Sequence, residues 1–176
     1  GGSNVVVGHQ AGANLSTYSS GTLRCSYNVL LGHQAGQYST IGGRNVAIGT
    51  RAMWLEQETG YNTYVGNYSG LYARGAEKNT ALGYGAIQGQ SNYLTGDKNT
   101  GLGYNALSYI SSGADNIAIG CEAGDNITSG SNNVVIGKAD VPSATGDSQL
   151  SISSGDGGVT WITGTSDSGV LMGDGT

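Results

Sequence analysis

The sequence predicts an all-β fold, a repetitive β-solenoid or β-roll with a period of about 17 residues. Three observations lead there. First, one five-residue phrase returns eight times: NVVVG (4–8), NVLLG (28–32), NVAIG (45–49), NTYVG (62–66), NTALG (79–83), NTGLG (99–103), NIAIG (116–120) and NVVIG (133–137). Second, the leading Asn advances in steps of 24, 17, 17, 17, 20, 17 and 17 residues, the fixed period of a chain whose repeats stack on one another. Third, Gly is 33 of 176 residues, Pro occurs once, and no 3.6-residue apolar stripe persists, so helix is disfavoured throughout.

The elements of the repeat can be justified in order, counting the Asn as position zero. Asn4, Asn28, Asn45, Asn62, Asn79, Asn99, Asn116 and Asn133 suit either a tight turn into the strand or a side-chain ladder between rungs. Position one is Val, Thr or Ile throughout. Position three is always aliphatic: Val7, Leu31, Ile48, Val65, Leu82, Leu102, Ile119 and Ile136. Side chains alternate along a strand, so these two positions share a face, expected here to point into the coil as its core. Position two (Val6, Leu30, Ala47, Tyr64, Ala81, Gly101, Ala118, Val135) then faces outward. It is apolar or small and never charged, which predicts that another chain covers it. Position four is invariant: Gly8, Gly32, Gly49, Gly66, Gly83, Gly103, Gly120 and Gly137, a corner that needs positive φ or a close backbone approach. Position seven is Ala or Ser until the last repeat, where Asp140 stands. A weaker second strand is expected on the return, in QYSTI (37–41), LYARG (71–75), SYISS (108–112) and NITSG (126–130).

Two units follow: an eight-repeat shaft or head over 1–140 and a C-terminal β segment over 141–176 that links or caps it. In the second unit Leu150 and Ile152 alternate with Ser, SGDGG marks a turn, and Val159–Ile162 and Val170–Met172 read as further strands. The steps of 24 and 20 residues place insertions in NLSTYSSGTLRCSY and in IQGQSNYLTGDK. A rung this short and rich in Gly buries few aliphatics for the backbone it must order, so an obligate oligomer is expected.

Composition narrows the functional classes. The net charge is −5 with no basic run, which argues against nucleic acid. No stretch approaches the length of a membrane helix, and membrane insertion is not expected. The chain opens Gly-Gly and reads as a piece of something longer. Cys25 and Cys121 are several rungs apart and are read as free. No catalytic motif is present, no cofactor is expected, and the chain is not read as an enzyme. His9 and His33 recur in GHQAG at matching register and are read as stacked surface residues rather than as metal ligands. Tyr and Trp cluster in predicted turns, where they either pack between rungs or meet a ligand. Tyr18, Trp54, Tyr72 and Tyr93 are the candidate receptor contacts.

The phrases NTALGYGAI (79–87) and NTGLGYNAL (99–107), with GSNNVVIG (130–137), resemble the repeat arrays of bacteriophage tail-fibre proteins. The rung is also similar to the head repeats of trimeric autotransporter adhesins, and VTWITGTSDSGVLMGDG resembles the β segment that follows such arrays in phage fibres. The resemblance covers nearly the whole chain; its departures are the 17-residue period and the two insertions. It implies a homotrimer of parallel β-rolls or an interwound triple β-helix. It implies a structural segment of a virion tail fibre, a rigid shaft joined to other fibre or tail proteins and touching a host cell-surface glycan or protein. The head of a bacterial surface adhesin is the alternative. A fibre-borne polysaccharide depolymerase is less expected, because its carboxylate pairs would have to come from Glu56 with Glu58 or Glu122 with Asp125, all in predicted turns.

Overall fold

The computed structural model describes residues 2–15, 25–40, 42–55, 60–90, 94–167 and 169–172. It is a β-solenoid with one strand per rung and no helix among the described residues. Eight three-residue strands stack in parallel and in register: β1 (Val5–Val7), β2 (Val29–Leu31), β3 (Val46–Ile48), β4 (Thr63–Val65), β5 (Thr80–Leu82), β6 (Thr100–Leu102), β7 (Ile117–Ile119) and β8 (Val134–Ile136). Then β9 (Leu150–Ser153) pairs in parallel with β8, and β10 (Thr160–Thr165) and β11 (Gly169–Met172) continue antiparallel, giving one sheet of eleven strands. The sheet therefore runs unbroken through residue 140, the boundary expected between two units. Repeat-like stacking reaches β9, and Val141 belongs to the buried core.

The strands face the opposite way from the expectation. Position two is the coil interior: Leu30, Ala47, Tyr64, Ala81, Ala118 and Val135 are fully buried. Positions one and three point outward, with Val7 61%, Leu82 54%, Ile119 40% and Ile136 39% exposed and Leu31, Ile48, Val65 and Leu102 half-buried. Alternation fixes which residues share a face, but both faces of this strand are apolar, so alternation does not name the inner one. Volume does. Positions one and three are β-branched or bulky on every rung, and the two together would overfill a coil enclosed by one strand and its turns, whereas position two brings a single side chain that ranges from Gly101 and Ala47 to Leu30 and Tyr64.

Position eight completes that packing. Over the rungs that start at Asn28 to Asn99, where position two is large, position eight is Gly: Leu30 with Gly36, Tyr64 with Gly70. Where position two is small, position eight is large and fully or almost fully buried: Ala47 with Met53, Ala81 with Ile87, Gly101 with Leu107. A Cβ at Gly70 would lie 2.6 Å from the Tyr64 ring, and one at Gly101 would lie 2.8 Å from Ile87. From the Asn28 rung to the Asn99 rung each coil thus carries one large core group, delivered from either wall; the last two rungs depart from this, with Ala118 paired with Gly124 and Val135 paired with the buried Val141.

The position-zero Asn form a continuous buried ladder. Each Oδ1 accepts the backbone N–H of the Asn on the next rung, at 2.7–3.0 Å from Asn4 through Asn116. The Nδ2 groups of Asn28, Asn62, Asn79, Asn99, Asn116 and Asn133 donate to backbone carbonyls of the turn before the next strand, at Gly42, Ala76, Gly96, Gly113, Gly130 and Gly146, and those of Asn28 and Asn116 also reach the Oδ1 of the preceding Asn at 3.2 and 3.0 Å. Gln149 extends the ladder by one rung: its N–H donates to Asn133 Oδ1 at 2.8 Å, and its amide donates to the carbonyls of Ser143 and Gly146. At position four, Gly8 through Gly120 have φ of 132–139°, and a Cβ on any of them would run into the glycine backbone of the next rung. That column needs Gly both for its φ and for the close approach.

The expected return strands do not form. Residues 37–40, 71–75, 108–112 and 126–130 run through turns and bends, with only isolated bridges outside the named strands, at Gly43–Gly60 and Ala73–Leu94 among the described residues. Alternate N–H groups there serve the residue's own rung and the next one. Ala35 donates to Gly32 and Gln37 to Gln34, while Gly36 donates to Ala52 and Tyr38 to Trp54. A segment that spends half its donors on its own turns cannot also form a ladder.

Candidate functional site

The turns carry the side chains with chemistry, and stacking sorts them into columns along the axis. At positions nine and ten, Tyr38 and Trp54 meet edge to face with ring centroids 4.9 Å apart, and Trp54 and Tyr72 meet in the same way at 6.4 Å. The Trp54 indole N–H donates to Gln37 Oε1 at 3.0 Å, and the Arg51 guanidinium lies 5.8 Å from the indole ring centre. Beyond Tyr72 the column opens into a cleft of about 400 Å³ lined by Tyr72, Gln88, Gly89, Gln90, Ser108 and Tyr109.

Two further aromatic columns flank the strand. At the corner after it, His9 and His33 stack 5.3 Å apart, and farther along Tyr84 stacks on Tyr104 at 5.4 Å with Tyr68 edge-on at 5.5 Å. Before the strand, Arg44 is sandwiched between Tyr27 and Tyr61, 5.5 and 5.3 Å from their ring centres. These contacts repeat because the rungs repeat, with ~4.8 Å of rise bringing ring onto ring. Among the described residues, no group of three or more His, Cys, Asp or Glu could hold a metal ion. Cys25 is buried and free, its thiol directed at the Thr40 carbonyl, and Cys121 is exposed and free.

The end of the repeat gathers carboxylates that the sequence scattered. Glu122, Asp125, Lys138, Ala139, Asp140, Asp156 and Gly157 line a cavity of about 270 Å³. Gly124 N–H donates to the Ala139 carbonyl, so Asp125 and Asp140 stand at one register on adjacent rungs and hydrogen-bond to each other. Burial, then that hydrogen bond, then the charges of Asp140 and Glu122 push the Asp125 carboxyl up to about 6, with Lys138 opposing in part. Lys138 bonds Glu122 at 2.8 Å, which raises the lysine further. Asp156 is held below the usual range by the Ser154 hydroxyl and the Gly158 N–H. As a hydrolytic pair Asp125 and Asp140 are too close, since the two carboxyls of a glycoside hydrolase stand about 5 Å or more apart.

Of the candidate receptor contacts, Trp54 and Tyr72 come together on one ridge, whereas Tyr18 and Tyr93 lie outside the described residues, as do Glu56 and Glu58. Sequence reasoning missed Gln88 and Tyr109 as partners of Tyr72, and Asp140 as the partner of Asp125. The signal for Asp140 was available, because it is the residue that breaks the Ala pattern at position seven. Comparison with known protein families, characterised proteins and solved structures finds no match to this chain.

Proposed function

We propose that this chain is a structural segment of a viral tail fibre, a rigid shaft of three parallel copies whose turns contact the host surface. The observation that carries the reading is the outward strand face. Along β1 to β8 positions one and three hold only Val, Leu, Ile and Thr, with no charge on any rung. An uncharged apolar face this long is a surface for burial against protein. Its features recur once per rung, at a rise of ~4.8 Å, so the partner must present the same axial period. A second copy of the chain does so automatically, and three copies around an axis bury the face of each. The resemblance of the repeats to phage fibre arrays supports the assignment to a tail fibre, where the segment serves reach and stiffness rather than catalysis.

The test is the assembled mass. Light scattering is expected to give three times the chain's 17.8 kDa. Leu82→Asp and Ile119→Asp, both on the outward face, are expected to give monomers that keep their β spectrum. A monomeric parent with the fold intact overturns the reading.

A further inference from the structure

We propose that the aromatic cleft between Tyr72 and Tyr109 is a binding site for a neutral oligosaccharide that lies along the solenoid axis. This deepens the host-contact part of the reading above and rests on it for its biological sense. The cleft has the size of a small-ligand site, about 400 Å³. Its ends are aromatic and its lining between them is amide and hydroxyl: Gln88, Gln90 and Ser108. Tyr72 belongs to the fourth rung and Tyr109 to the sixth, a rise of about 9.6 Å. Sugar C–H faces pack on aromatic rings, and sugar hydroxyls pair with amides that both donate and accept.

Charge selects among polyhydroxylated ligands. No charged side chain lines the cleft among the described residues, and the chain carries −5, so the cleft itself offers an acidic polysaccharide no compensating cation; Arg51 lies one rung beyond Tyr72, against Trp54. The ridge beside the cleft gives the site length. Tyr38, Trp54 and Tyr72 continue it for two more rungs, and Trp54 is already fixed by Gln37, Tyr38 and Tyr72. A linear chain of rings along the axis would meet preordered aromatic surface, which lowers the entropy lost on binding. Positions nine and ten are separated from the strand by the corner at positions four to eight, so burying the strand face in a trimer leaves this edge open.

The experiment is saturation-transfer NMR and calorimetry on the assembled protein. The probes are neutral glucan, mannan and N-acetylglucosamine oligomers of four to six residues, with a sulfated glucan oligomer as the charged control. At least one neutral probe is expected to bind and the sulfated one not to. Tyr109→Ala, at a side chain 52% exposed, and Gln88→Ala are each expected to weaken binding about tenfold, while Tyr104→Ala on the other column leaves it unchanged. Tyr109→Ala keeps the test decisive if Tyr72→Ala unfolds the ridge. No binding of any neutral probe at about 10 mM, or binding indifferent to Tyr109 and Gln88, overturns the proposal. Light scattering on the same sample separates the two readings: a trimer that ignores sugars sinks only this one, and a sugar-binding monomer sinks the shaft.

Discussion

Asn62 shows what one residue does in this fold. Its Oδ1 accepts the Asn79 N–H at 2.9 Å and its Nδ2 donates to the Ala76 carbonyl at 2.8 Å, both fully buried. Asn62→Ala would orphan a donor and an acceptor, so a loss of about 2–4 kcal/mol is expected by denaturant titration. Asp125 works in the other direction. Its folded carboxyl sits near 6 while the unfolded one sits near 3.8, so the folded state binds more protons between those values. Stability therefore falls as pH rises from about 4 to 6, the reverse of a salt-bridged carboxylate. Asp125→Asn supplies the amide donor that the protonated acid supplies to Asp140. The variant is expected to lose that slope and to gain about 1 kcal/mol at pH 7.5, after discounting for the solvent that reaches the pair. Thermal melts across pH 4–8 check both; an unchanged slope in the variant sinks the assignment.

Each three-residue strand works as a rung only together with the turn six residues on. The exchange of bulk between positions two and eight was present in the sequence, in Leu30 with Gly36 and Ala81 with Ile87, yet it becomes readable only once position two is known to be inside. Period, strand positions, the glycine corners and the three C-terminal strands were legible because each rests on local pattern. The facing of the strand was not, because two apolar faces leave alternation with nothing to choose between. The turn before each strand was hidden for a different reason: Tyr27, Arg44, Tyr61, Lys78, Lys98, Asp115, Asn132 and Ser148 all take φ of 54–65° without a Gly to announce it. Ala81→Leu is expected to overpack its rung and cost about 1–3 kcal/mol. Adding Ile87→Gly should recover most of that loss, and a double-mutant cycle that shows simple additivity would contradict the exchange.

At the scale of the molecule, the outward faces of β1 to β8 form one uncharged surface, and its burial decides whether the chain works alone. Ile119→Asp places a carboxylate on a side chain that is 40% exposed in the single chain. The monomer is expected to tolerate it within about 0.5 kcal/mol, and the assembly is expected to fail, because the same charge would then be buried unpaired. Unfolding of the isolated chain on this substitution would mean that the face is structural rather than intermolecular. The candidate ligand cleft was only partly legible. Tyr72 and Trp54 stood out as aromatics in turns, but their partners Gln88 and Tyr109 lie one and two rungs away, and only stacking brings them together.

The Asn ladder and the parallel strand pairing also fix how the rod answers a pull. Every rung-to-rung bond runs along the axis, so tension from end to end loads the bonds of one rung together and the successive rungs in series. The weakest remaining interface opens first and frees one repeat. Force-extension traces of the single chain should therefore show a staircase, each 17-residue step releasing about 55–60 Å. The two longer repeats should appear as longer treads. A solenoid built this way lengthens one repeat at a time under load instead of parting in a single event.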